Sequence, residues 1–331
     1  MGRDAPGRAL GMAAQSPLLD WAAEGVIPAE HYARLTGHPL YAEAARSFAT
    51  NVLAAAAADK ALDGIAKDAG RYVAASWMIY LHVSGGITLA RLKDICVRSG
   101  LLSRGRARAV LLYLRYLGLI APLPAATVAQ YAPTPRLLTV WRSLLHSLME
   151  AVMLIEPALG PLTRRLDDNE VLQTVQRIQG EGLFVAATTV VLESPFIRVF
   201  LHRHAGMQIV HWLVQAADTD DSFPPSRPIA VSISALARRF SVSRVHIKRL
   251  FAEAEREGLI RLHDDGAVQF TKEGREAVGF FYSSMMIGIL SVAARTIAET
   301  PQALEAGAEK ARREVPFMAL DPAPQALPIS E

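Results

Sequence analysis

Apolar residues recur at Ile247, Leu250, Phe251 and Ala254, the i, i+3, i+4, i+7 stripe of a helix that buries one side. Ser243 precedes the stripe, and its hydroxyl can accept from a free first-turn amide. Gly258 follows it, where a helix needs a left-handed C-terminal residue. The same pattern stands about 140 residues earlier, with Ser103 in front, Ala107, Val110, Leu111 and Leu114 on the stripe, and Gly118 behind. Both copies begin Ser-Arg and end Gly-Leu-Ile.

The flanks of the two copies also correspond. Before the second lies "SISALARRFSV", where Leu236 and Phe240 are i, i+4 partners on a short helix. "FSVS" then turns into the helix capped by Ser243, so a helix-turn-helix is predicted. After it, "LIRLHDDGAVQF" reads as a β-hairpin around Asp265-Gly266, the position of a wing. Thr271 caps a further long helix. In the first copy "ITLARLKDICVRSGLL" supplies the leading helix and a longer turn. "VAQY" sits where "AVQF" sits in the second wing, and Thr134 stands before "PRLLTVWRSLLHSLMEAVMLI". Upstream, "KDAGRYVAASWMIYL" parallels "RHAGMQIVHWLVQAA", each with Ala-Gly and then a Trp. "HPLYAEAARSFATNVLAAAA" parallels "NEVLQTVQRIQGEGLFVAAT".

The predicted fold is therefore mainly α. Two winged helix-turn-helix modules with small β-hairpin wings are joined by long helices into a pseudo-dimer. The expected divisions are a disordered N-terminus at 1–15, a first module at 16–160, a second at 161–300, and a short helix with a loose tail at 301–331. "EPALGPLTRRLDD" is the junction between the modules.

Composition adds constraints. The 331 residues are 51% hydrophobic and 20% charged, ordinary for a globular chain long enough for two domains. Cys96 is the one cysteine, so no intrachain disulfide forms and no oxidising compartment is implied. The N-terminus lacks a signal-peptide core, and "MMIGILSVAA" and "LFVAATTVV" fall short of the ~20 residues of a membrane helix. A cytoplasmic protein without a membrane partner is expected. The net charge of +3 hides two basic patches. Residues 87–120 set Arg91, Lys93, Arg98, Arg104, Arg106, Arg108 and Arg115 against Asp94 alone. Residues 226–261 set Arg227, Arg238, Arg239, Arg244, Lys248, Arg249, Arg256 and Arg261 against Glu253, Glu255 and Glu257. The rest of the chain is net acidic, so the patches read as a polyanion footprint or as solvated charged faces.

In element order and motif, "ISALARRFSVSRVHIKRLFAEAEREGLIRLHDDGAVQFTKEGRE" resembles the winged helix-turn-helix of bacterial MarR-type regulators, and residues 87–138 are similar but weaker. The resemblance implies transcriptional regulation through sequence-specific binding of double-stranded DNA. It also implies a small aromatic ligand and dimerisation through terminal helices. Family members are typically homodimers with one such domain per chain. Here both halves stand on one chain, giving a monomer or a dimer of pseudo-dimers. The wing tips, "HDDG" and "PLPAA", lack the family's basic tip.

The DNA-binding candidates are Ser103, Arg104, Arg106 and Arg108 in the first copy, and Ser243, Arg244, His246, Lys248 and Arg249 in the second. Arginine reaches guanine bidentately, while the serines and helix amides suit phosphate. The two helices differ (Arg104-Gly105-Arg106 against Arg244-Val245-His246), which predicts an asymmetric operator with half-sites ~10 bp apart. The alternative is a protein-interaction or ligand-sensing module in which one or both winged helices do not touch DNA.

Other constellations read more plainly. His202, His204 and His211 lack a carboxylate or thiolate at ligand spacing, so no metal is expected. Cys96 reads as a buried structural cysteine, with a redox-sensor role as the alternative. Trp77 and Trp212, with Met78 and Met207, read as core or as a ligand pocket between the helical layer and the winged helices. No Gly-rich phosphate loop, nucleophile elbow or His-Glu-x-x-His motif occurs, so neither an enzyme nor a cofactor is expected.

Overall fold

The computed structural model describes residues 29–124, 129–189 and 194–304. The expected disordered N-terminus, the tip of the first expected wing and most of the C-terminal tail lie outside the described residues. Among those described, the chain is mainly helical with two small antiparallel sheets.

The first half runs α1 (Ala29–Thr36), α2 (Tyr41–Ala58), α3 (Lys60–Ala66), α4 (Ala69–Val83), β1 (Ile87–Thr88), α5 (Leu89–Arg98), α6 (Arg104–Tyr116), β2 (Ile120–Pro122), β3 (Gln130–Pro133) and α7 (Pro135–Met153). The second half runs α8 (Gly160–Thr163), α9 (Asn169–Thr189), α10 (Gly206–Ala216), α11 (Ile233–Arg239), α12 (Arg244–Arg256), β4 (Ile260–Leu262), β5 (Val268–Phe270) and α13 (Lys272–Glu299). Residues 301–304 are again helical.

Local chemistry sets the equivalent boundaries. The Ser103 and Ser243 hydroxyls cap α6 and α12, accepting from the amides of Arg106 at 3.3 Å and His246 at 3.0 Å. Both helices end before a glycine with positive φ, +69° at Gly118 and +72° at Gly258. The hydroxyls of Thr134 and Thr271 then reach back to those glycine carbonyls, at 2.9 and 2.5 Å. The same hydroxyls accept from the first turns of α7 and α13, at Leu137 and Gly274. The expected apolar stripes of α6 and α12 are the buried faces.

Two alignments read from the sequence need correction. Ile120 pairs with Pro133, whereas Ile260 pairs with Phe270, so the first hairpin is three residues longer between its paired ends. "VAQY" is therefore two residues out of register with "AVQF". The resemblance deceived because a shift of two leaves every side chain on its original face. The tryptophans are not equivalent either. Trp77 lies seven residues after Gly70 and is fully buried, while Trp212 lies six after Gly206 and is only partly buried. One residue turns a helix by about 100°, which separates their faces. The expected junction, residues 156–168, is itself packed: Leu159, Leu162 and Leu166 are buried in it.

The two halves pack reciprocally. The helix α2 lies against α7 of its own half and α10 of the other; α9 lies against α13 of its own half and α4 of the other; α7 and α13 also touch. A single apolar cluster runs through both halves, so residues 16–160 and 161–300 do not own separate cores. Polar ties follow the same seams: Asn51 Nδ2 donates to the Ser147 carbonyl at 2.7 Å, and Arg295 pairs with Glu181 at 2.8 Å.

By length and composition, α13 is long and apolar enough to cross a membrane; half of its most apolar stretch is buried inside the protein. The run "MMIGILSVAA" that fell short of a span is part of this longer helix, and residues 183–189 of the other run end α9. Within α13, Val278, Tyr282, Met286, Ile287 and Leu290 face the core.

Candidate nucleic-acid interface

The exposed faces of α6 and α12 carry the candidate cations. Ser103, Arg104, Arg106 and Arg108 are all exposed on α6 or at its cap. Ser243, Arg244, Lys248 and Arg249 are exposed at α12, and His246 is half-buried. Buried stripes turned inward fix these orientations.

The structure divides the candidates into two groups. Arg104, Arg108, Arg244, Lys248 and Arg249 make no ion pair among the described residues. Arg106 and His246, each the third residue of its helix, turn back into the protein instead. Arg106 Nη2 lies 3.1 Å from Asp68 Oδ2, and His246 Nε2 lies 2.7 Å from the carbonyl oxygen of His204. Asp68 stands just before the Ala69-Gly70 that opens α4, and His204 just before the Ala205-Gly206 that opens α10. Equivalent positions on the two helices thus grip equivalent ends of the helical layer.

Asp68 is the stronger anchor. Its carboxylate is buried, caps α4 by accepting from the Arg71 amide at 2.8 Å, and pairs with Arg71 Nε at 3.2 Å. The guanidinium of Arg71 then lies 4.9 Å over the Tyr113 ring of α6 and donates to the Gly64 carbonyl at 3.1 Å. His204 is held below the ordinary histidine range, first by burial, then by the nearby charges of Arg71 and Lys67.

Beyond α6 and α12 the two halves diverge. The second hairpin tip exposes Asp264 and Asp265, and Asp265 Oδ1 accepts from the Ala267 amide at 2.9 Å. That tip is acidic, as the sequence indicated. Arg261, exposed on β4, also makes no ion pair among the described residues. It belongs to the second basic patch of the sequence but lies off the helix, outside the set of candidate site residues. Asp68 lies outside both basic patches, but a lone acid before Ala-Gly at a helix start is an N-cap signal that marks it in the sequence. On the first half the outer face of α6 changes character along its length. Arg104 and Arg108 give way to Leu112 and to Tyr116, which is 86% exposed.

The remaining candidates settle as follows. His211 is buried, with Nδ1 2.8 Å from the Tyr282 hydroxyl, and burial pushes its pKa down to about 3. No group of three metal-ligating side chains stands together among the described residues. Cys96 is wholly buried, and burial raises its thiol to about 12, the opposite of what a redox sensor requires. Trp77 and Met78 are core residues. A cleft of about 210 Å³ beside Arg71, Arg106 and Tyr113, and a groove of about 440 Å³ beside Tyr32, Arg275 and Phe280, include neither of these nor Met207 or Trp212. Comparisons with protein-family models, with curated proteins and with solved structures returned no match.

Proposed function

We propose that the chain is a transcriptional regulator that binds double-stranded DNA sequence-specifically through two winged helix-turn-helix units of the MarR type, arranged as a pseudo-dimer. The observation that carries this reading is the matched pair α6 and α12. Each is capped by serine, buries its apolar stripe, and holds outward cations that make no ion pair among the described residues: Arg104 and Arg108 on one, Arg244, Lys248 and Arg249 on the other. Such cations attract phosphates and, at a helix start, reach guanine edges in the major groove. The reciprocal packing of α2 on α10 and α9 on α4 supports the pseudo-dimer. The differing helices favour an asymmetric operator with half-sites ~10 bp apart. Arg106 and His246 act chiefly as braces for the helices that carry the contacts.

A second reading has its own support. Leu112, Leu123 and Tyr116 are exposed apolar side chains on the first unit, which suits a protein partner there in place of DNA.

Fluorescence-anisotropy titrations against a pool of duplex DNA at several salt concentrations test both. The proteins are wild type, Arg104→Ala/Arg108→Ala, and Arg244→Ala/Lys248→Ala/Arg249→Ala. A steep salt slope that flattens in both variants supports DNA contact by both helices. Flattening in the α12 variant alone favours the second reading for the first unit. Absence of binding at low salt by folded wild type overturns the regulator reading.

A further inference from the structure

The second position of the two reading helices differs in a way that the protein's own packing does not require. Val245 is 55% exposed, an apolar side chain flanked by Arg244, Lys248 and Arg249. The equivalent position of α6 is Gly105, where an added Cβ would meet nothing within 4 Å. Its φ is not in the left-handed region, so the backbone does not call for glycine. Glycine inside a helix is unfavourable relative to alanine. At one equivalent site, then, the chain keeps an uncovered apolar group on one helix and omits a harmless side chain on the other.

We infer that residues 105 and 245 set what each reading helix accepts from the major groove: Val245 packs on the 5-methyl group of a thymine, and Gly105 lets the backbone of α6 approach the duplex too closely for any side chain. This rests on the DNA-binding reading above. The cations beside Val245 supply the attraction that brings it into the groove, and thymine is the base that displays a methyl group there. The guanidinium groups of Arg104 and Arg108 flank Gly105 in the same way, so the closer approach is to the same polyanion. The arrangement gives the two half-sites different sequences from a single pair of positions.

The test uses full-length protein and a duplex of about 30 bp selected from random sequence by wild type. Each thymine is replaced in turn by deoxyuridine, which removes only the methyl group. At one thymine in the α12 half-site, wild type is expected to lose about fourfold in affinity, the value of burying one methyl. Val245→Ala is expected to bind the two duplexes alike. Gly105→Ala is expected to melt no lower than wild type yet to bind the selected duplex about tenfold more weakly, as overpacking predicts. If wild type binds tightly but no deoxyuridine replacement separates it from Val245→Ala, or if Gly105→Ala binds as wild type does, the inference falls and the DNA reading stands. If folded wild type selects no duplex at all, both fall together.

Discussion

The backbone amide of Ala205 donates to the carbonyl of Lys67 over 2.6 Å, joining the start of α10 to the turn before α4. Residues next to this bond on either side hold the two cation-bearing helices: Asp68 takes Arg106 of α6, and the His204 carbonyl takes His246 of α12. One short polar chain therefore runs from α6 to α12. Gln208 extends it by donating to Asp63 at 2.9 Å, and Asp63 in turn pairs with Lys67 at 2.7 Å. Because these anchors are backbone groups and a buried carboxylate, they hold the spacing of the two helices better than exposed ion pairs do.

Asp68→Ala removes a helix cap and leaves Arg71 and Arg106 without their shared acid. The expected loss of stability is about 1–3 kcal/mol, the lower part of that range reflecting the half-exposed Arg106. Urea denaturation measures it. Arg106→Ala, which keeps the cap, is expected to cost less.

Thr134 and Thr271 perform the same double task at the start of α7 and α13. Replacing either with alanine is expected to lower stability by about 1 kcal/mol. Thermal melts of both single variants and the double variant should give nearly additive shifts, since the two caps share no partner.

His211 makes stability depend on pH. Its folded pKa is depressed to about 3 from an ordinary 6.5 by burial. Between these values the unfolded chain binds a proton that the folded chain refuses, so stability falls as pH drops below 6.5. The slope from this one group is at most about 1.4 kcal/mol per pH unit. The variant His211→Phe/Tyr282→Phe removes the imidazole together with its hydroxyl partner. Denaturation from pH 6.5 to 4.5 should show a shallower fall for the variant than for wild type; equal slopes would assign the effect to other groups, such as His204.

Cys96 should resist thiol reagents in the native protein, because it is buried and its pKa is pushed up to about 12. Reaction with a chromogenic disulfide is expected to be slow in buffer and fast in denaturant. Brief peroxide treatment should leave the proposed DNA binding unchanged. Rapid labelling of the folded protein would show that α5 opens.

The sequence by itself determined the local elements of this protein. Stripes such as Ile247, Leu250, Phe251 and Ala254 have helical period, and serine, threonine and glycine at their ends carry their own boundary chemistry. Those features act over a few residues, so they are legible without knowing what lies opposite. It also marked out α6 and α12 as the elements bearing clustered cations. Tertiary structure decided which of those cations are free. Arg104 and Arg106 look alike in the sequence, yet only Arg106 meets Asp68, a partner nearly forty residues away. The same holds for the single core, the reciprocal packing of α2 and α9, and the hairpin register. Each depends on which distant surfaces come together, and a period-two pattern tolerates a slip of two residues without changing a single face.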